Sequence, residues 1–175
     1  MLTDNYMSYD QYLDCADKEE REVIDKLFEQ CILDIKDLNK IMKIKEKINI
    51  LVITSTKCKD SATIVPFLLK IKEINNNIEV NFLLKNENEE LLKELSGESR
   101  VPSFLILDQE NNVLRKFVEF PIGVKEILSS SPVEETQDIV DSMRSGLYNK
   151  LIQDDIIKFI TGEGYEYYPF ERKDK

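Results

Sequence analysis

Between Ile24 and Met42 apolar side chains return at steps of three and four: Ile24, Leu27, Phe28, Cys31, Ile35, Leu38 and Met42. That period predicts helix with a single apolar face. Asp17, followed three residues later by Glu20, predicts its start as a capping box with Asp as the cap. A shorter helix carrying Tyr9, Tyr12 and Leu13 is expected before it. Residues 1–47 thus read as a helical extension that covers one face of whatever follows.

At Ile48 the pattern changes. Ile48 to Thr54 is a short β-branched run, the signature of a buried strand. Ser55 to Lys59 reads as a turn and Ser61 to Ile74 as a helix ended by Asn75-Asn76-Asn77. Ile78 to Leu84 is a second strand. Asn86 is placed to cap a helix whose third position is Glu89 and whose end is marked by Gly97. Ser103 to Leu107 and Val113 to Val118 are two more strands, joined by the polar hairpin Asp108 to Asn112. Ile122 to Leu128 closes the series as a helix. The order is β-α-β-α-β-β-α. The first two strands, joined through a helix, should run parallel, and the last two, joined by a hairpin, antiparallel. A mixed four-stranded sheet with helices on both faces satisfies these connections.

Residues 48–130 therefore read as the α/β domain and 131–175 as an appendage. Ser131-Pro132-Val133-Glu134 is a helix start with Ser as cap, expected to run to about Arg144. Gly146 breaks it, and Leu147 to Ile160 forms another helix. For the tail from Gly162, with Tyr165, Tyr167, Tyr168 and Phe170 among charges, periodicity leaves packed and loose arrangements open.

Composition narrows the chemistry. The 175 residues hold 34 acidic and 24 basic side chains, a net charge of −10, which disfavours nucleic acid backbones and anionic lipid as partners. No apolar run reaches the roughly 20 residues a membrane span requires. Met1-Leu2-Thr3-Asp4-Asn5-Tyr6 lacks the basic start and apolar core of a secretory leader, so a cytoplasmic location is expected. The chain has no histidine, which removes Ser-His-Asp and Cys-His catalysis and the commonest metal ligand. The three cysteines, Cys15, Cys31 and Cys58, are expected as free thiols. The five glycines form no phosphate-cradling loop.

Cys58-Lys59-Asp60-Ser61 stands between the first strand and its helix. Pro66 follows Cys58 by eight residues, inside that helix, and Pro102 follows it by 44, just before a strand. With this strand order the sequence resembles the thioredoxin superfamily. The likeness is closer to bacterial thioredoxin family proteins with a Cys-Gly-Asp-Cys or Cys-Gly-Asp-Ser motif and a Val-Pro step. Here these are Lys57-Cys58-Lys59-Asp60-Ser61 and Val65-Pro66. The stretch Leu83 to Leu91, then Arg100-Val101-Pro102 and a strand ending near Leu107-Asp108, extend the likeness over most of residues 9 to 128.

The resemblance implies a thioredoxin-like three-layer α/β fold and a cis peptide bond before Pro102. It implies Cys58 as the attacking thiol, with Ser61 and Pro102 completing the catalytic set. Lys57, Lys59, Asp60 and the backbone of Val101 are the implied substrate contacts. The substrate would be a protein disulfide or a low-molecular-weight thiol, and no bound cofactor is implied. A thiol attacks as its thiolate, which a helix N-terminus favours. Lys57 and Lys59 add positive charge there, and Asp60 opposes it.

Three positions depart from the family pattern. Ser61 replaces the resolving cysteine; a hydroxyl can hydrogen-bond the thiolate but closes no disulfide, unless Cys15 or Cys31 approaches. Lys57 stands where the family has tryptophan, and Val52 where it has a buried carboxylate. Two functions are then in competition. One is a monothiol thiol–disulfide oxidoreductase or thiol carrier working through Cys58. The other is a catalytically inactive module that holds a protein partner.

Overall fold

The computed structural model describes residues 5–171. Met1–Asp4, on which part of the leader reading rests, and Arg172–Lys175 lie outside them. The elements in chain order are α1 (Tyr9–Asp14), α2 (Lys18–Gln30), α3 (Leu38–Met42), β1 (Ile48–Thr54), α4 (Lys59–Lys72) and β2 (Ile78–Leu84). They continue with α5 (Glu89–Ser96), β3 (Ser103–Leu107), β4 (Val113–Val118), α6 (Ile122–Ser130), α7 (Thr136–Arg144) and α8 (Asn149–Thr161).

The four strands form one sheet of order β2-β1-β3-β4. β1 pairs parallel with β2, from Ile48 opposite Ile78 to Thr54 opposite Leu84. β1 pairs antiparallel with β3, and β3 antiparallel with β4. Side chains alternate across a strand, so this register sorts them into two faces. Ile50, Val52, Phe82, Phe104, Ile106 and Phe117 share the larger core with α4, α6, α7 and α8, and with Tyr12 and Ile24 of the extension. Leu51, Ile53, Leu83, Leu105 and Leu107 form a smaller core closed by Leu92 of α5. Helices therefore cover both faces, unequally.

Helix boundaries show where the local pattern is overruled. The Asp17–Glu20 capping box forms, and Ser8 with Gln11 builds another at α1. The apolar stripe does not run through as one helix. α2 ends at Gln30, and Ile35 and Met42 are exposed. Between the helices Asp34 Oδ1 accepts the Lys36 N–H, while Gln153 of α8 accepts from Asp34 N–H and donates to Asp34 O. An aspartate that bonds the backbone locally competes with helix. Asn86 lies in a short turn of 3-10 helix, and Asn88 is the cap position of α5, its side chain donating to Leu84 O. Ser131 does not cap α7. Val133–Glu135 form a 3-10 turn first, and α7 begins at Thr136. Gly146, with φ +98°, separates α7 from α8.

The N-terminal segment joins the sheet itself. Met7 bridges Phe82 antiparallel, with Met7 N–H to Phe82 O at 3.0 Å and the return bond at 2.9 Å. Tyr12 stacks on Phe82 with centroids 5.1 Å apart, and Tyr9 lies against Phe28 at 5.9 Å. At the other end of the chain the tail packs back. Phe170 is buried, Tyr165 Oη donates to Lys116 O at 2.8 Å, and Lys125 Nζ donates to Tyr168 O at 3.2 Å. The Tyr167 ring lies under both Lys116 and Lys125 nitrogens, at 4.3 and 4.7 Å. No helix among the described residues is long and apolar enough to cross a membrane.

Candidate active site

The register that pairs Ile53 with Ser103 brings the exit of β1 and the entry of β3 to the same end of the sheet. The chain leaving β1 reaches Cys58, and the chain entering β3 carries the cis Val101–Pro102 peptide. Cys58 is the N-cap residue of α4, in extended backbone at φ −84° and ψ 115°. A cap residue normally offers a side-chain oxygen to the first free N–H groups. Here sulfur does so: Cys58 Sγ accepts the Ser61 N–H at 3.4 Å. The same sulfur donates to Val101 O at 3.6 Å. Cys58 is half-buried, so a reaction partner can reach it from one side.

The residues around the sulfur divide by burial. Lys57 and Lys59 are exposed. Asp60 is 5% exposed and faces away into the fold, its Oδ1 accepting Arg144 Nε at 2.8 Å. Arg144 also donates to Asp141 Oδ1 at 3.2 Å. Ser61 is 1% exposed, and its hydroxyl has no hydrogen-bond partner. The hydroxyl–sulfur bond that a serine here could make is not formed, and the backbone N–H of Ser61 makes the contact instead. The reason is geometric: at the third helical position the N–H points back at the cap, while the side chain turns into the core.

The other cysteines have different surroundings. Cys31 is buried, and burial pushes its thiol up to about 11 despite the opposing charge of Lys70. Cys15 is exposed, with its sulfur against Gln11 O at 3.4 Å and Met7 Sδ at 3.9 Å. All three thiols are free. Tyr12 brings the extension to the site. Its phenol is buried, burial raises its pKa, and Cys58 lies near enough to add to the rise.

Behind the proline loop lies a cluster of charges. Arg100 Nη1 donates to Glu119 Oε2 at 3.1 Å, Nε to Glu98 Oε2 at 2.8 Å, and Nη2 to Glu98 and to the Phe170 carbonyl. Glu119 is 6% exposed, has a left-handed backbone with φ +62°, and donates its N–H to Pro102 O at 2.8 Å. The tail is therefore tied to the loop that faces the sulfur. Arg144 and Glu119 are the two site-shaping residues that the sequence reading missed. Neither belongs to a local motif, since Arg144 lies 84 residues from its partner. Among the described residues no group of three or more His, Cys, Asp or Glu side chains is placed to hold a metal ion.

A thiol at a helix start, facing a cis-prolyl loop on a mixed four-stranded sheet, defines a protein of the thioredoxin fold. A family model described as Thioredoxin matches residues 6–138, and the chain belongs to that family. No curated protein matches the sequence. Two solved structures are similar. One is a protein of unknown function from Pseudomonas aeruginosa, with a TM-score of 0.74 and 19% identity over 91% of this chain and 95% of that one. The other is an HIV epitope scaffold, with a TM-score of 0.75 and 19% identity over 91% and 94% of the two chains. Both overlaps exceed residues 6–138, so the shared fold is larger than the segment the family model covers.

Proposed function

We propose that the protein carries out monothiol thiol–disulfide exchange at Cys58. The observation that carries this reading is the environment of one sulfur. It caps α4 through the Ser61 N–H at 3.4 Å, sits 3.6 Å from Val101 O, and remains half-open to solvent. A helix N-terminus favours the thiolate through its free N–H groups and dipole. The Cys58 thiolate attacks one sulfur of a protein or low-molecular-weight disulfide. A Cys58–substrate disulfide forms, and the other substrate sulfur leaves as a thiolate. A second, external thiolate then attacks the substrate sulfur of the mixed disulfide. It takes the substrate into a new disulfide and returns Cys58 as thiolate. Atoms and electrons balance without a resolving cysteine in this chain. Lys57 and Lys59 flank the opening and give it local positive charge in an acidic protein.

The experiment is capture of the mixed disulfide. The protein is incubated with cell extract, free thiols are blocked with an alkylating agent, and adducts are resolved under non-reducing conditions. Reductant-sensitive adducts that map to Cys58 and vanish in Cys58→Ser support the reading. The serine at position 61 favours a second reading, a non-catalytic binding module. A partner retained equally by wild type and Cys58→Ser, with no reductant-sensitive adduct, would establish that one instead.

A further inference from the structure

Asp60 and Cys58 belong to the same first turn of α4. A buried carboxylate there opposes the formation of a second negative charge on the sulfur. The structure sets a specific partner against it. Arg144, the last residue of α7, places Nε 2.8 Å from Asp60 Oδ1, and the Asp60 side chain is 8% exposed. Arg144 also donates to Asp141 Oδ1 at 3.2 Å, on the exposed side of α7. The other groups around Cys58 are the exposed Lys57 and Lys59, the buried Tyr12 phenol, the Val101 carbonyl and the Ser61 N–H.

We propose that Arg144 is a positioning residue for the chemistry of Cys58: it neutralises Asp60 and holds that carboxylate toward α7, so the helix N-terminus acts on the sulfur unopposed. This rests on the reading of Cys58 as the exchanging thiol. It gives the C-terminal helices a part in the site although they lie outside the family-matched segment from residue 139 onward. Burial of the guanidinium works against its charge, and the bonds to Asp60 and Asp141 outweigh it, so Arg144 stays protonated where it is needed.

The test follows alkylation of Cys58 by iodoacetamide between pH 5 and 9, in the full chain. Modification is read at the Cys58 peptide by mass spectrometry, so Cys15 and Cys31 need no replacement. Arg144→Ala should slow alkylation at pH 7 by about threefold to tenfold, the effect of one unscreened charge within the same helical turn. Its pH–rate profile should move toward higher pH. Asp60→Asn/Arg144→Ala should return to the wild-type profile, because no carboxylate is left to neutralise. Arg144→Lys should stay close to wild type. An Arg144→Ala profile that coincides with wild type overturns the proposal. So does a double variant as slow as Arg144→Ala, because Arg144 would then act through packing alone. If Arg144→Ala does not fold, Asp60→Asn decides: a rate at or above wild type supports the proposal, and a slower rate overturns it. Alkylation reports the sulfur's ionisation and not disulfide exchange. A protein that shows these shifts but forms no mixed disulfide would refute the exchange reading and leave the Arg144 effect standing.

Discussion

Asp155→Asn should stabilise the protein at neutral pH and leave it unchanged in acid. The carboxylate is 6% exposed on α8, and its Oδ2 accepts the Ile122 N–H at 3.1 Å. It thereby caps α6 from another helix, where Pro121 at the cap position has no side-chain acceptor. Burial pushes the carboxyl from 3.8 up to about 6; the Ile122 N–H, Lys125 and Lys158 pull it down, and Glu126 adds to the rise. Tyr165 faces it as well. A rise of that size means ionisation costs about 3 kcal/mol more in the fold than in the unfolded chain. The folded carboxyl holds its proton more tightly, so its stability is full below 3.8 and lost as pH rises through about 6. Asparagine keeps an acceptor for Ile122 and has no proton to lose. Two effects offset the gain. The Ile122 bond weakens by about 1 kcal/mol with a neutral acceptor. Lys125, which burial already lowers to about 8, also loses an opposite charge. The net gain should be about 1–2 kcal/mol at pH 7 and near zero at pH 4. Urea unfolding at both pH values, with unchanged slope, reads it as a midpoint shift. A variant less stable than wild type at pH 7 and equal to it at pH 4 would refute the reasoning, because the buried carboxylate would then be net favourable.

Ser61→Ala should raise stability by about 1 kcal/mol, since the buried hydroxyl it removes has no partner; thermal or urea unfolding checks this. Ser61→Cys places a second thiol at the position whose N–H already meets Cys58 Sγ. Mild oxidation should then close an intramolecular disulfide, seen as loss of two free thiols in the intact protein, while wild type loses none by this route. Phe170→Ala removes a buried ring that lies 5.7 Å from the Arg100 guanidinium, and should cost about 3 kcal/mol in unfolding free energy.

The strands were legible to the residue. Ile48–Thr54, Ile78–Leu84, Ser103–Leu107 and Val113–Val118 are β-branched or apolar runs bounded by turn formers, and the structure begins and ends them there. So were the Asp17 cap and the break at Gly146, and the family resemblance implied the cis bond found at Pro102. The errors share a cause. Ile35 and Met42 continue a helical period, but Asp34 and Gln153 satisfy each other across 119 residues and hold the chain out of helix. Ser131 carries the letters of a cap, and a 3-10 turn takes its place. At the site, the sequence placed the cysteine, the proline and the charges around them. The Arg144–Asp60 bond, the inward turn of the Ser61 hydroxyl and the anchoring of the tail by Arg100 and Lys125 depend on tertiary approach. Periodicity carries no signal of such pairs.

The bridge between Met7 and Phe82 has a consequence for how the chain behaves in crowded solution. β2 is an outer strand of the sheet, and a bare outer strand offers its N–H and C=O groups to any passing copy. Met7 occupies both free groups of Phe82 near the middle of that strand. Tyr9 and Tyr12 then lay aromatic rings over the same residue. Met7, Tyr9 and Tyr12 thus serve as a guard against self-association. Trimming the chain through Met7, which leaves the buried Tyr12 in place, or fusing a bulky tag close to Met7, should lower colloidal solubility before it lowers the melting temperature.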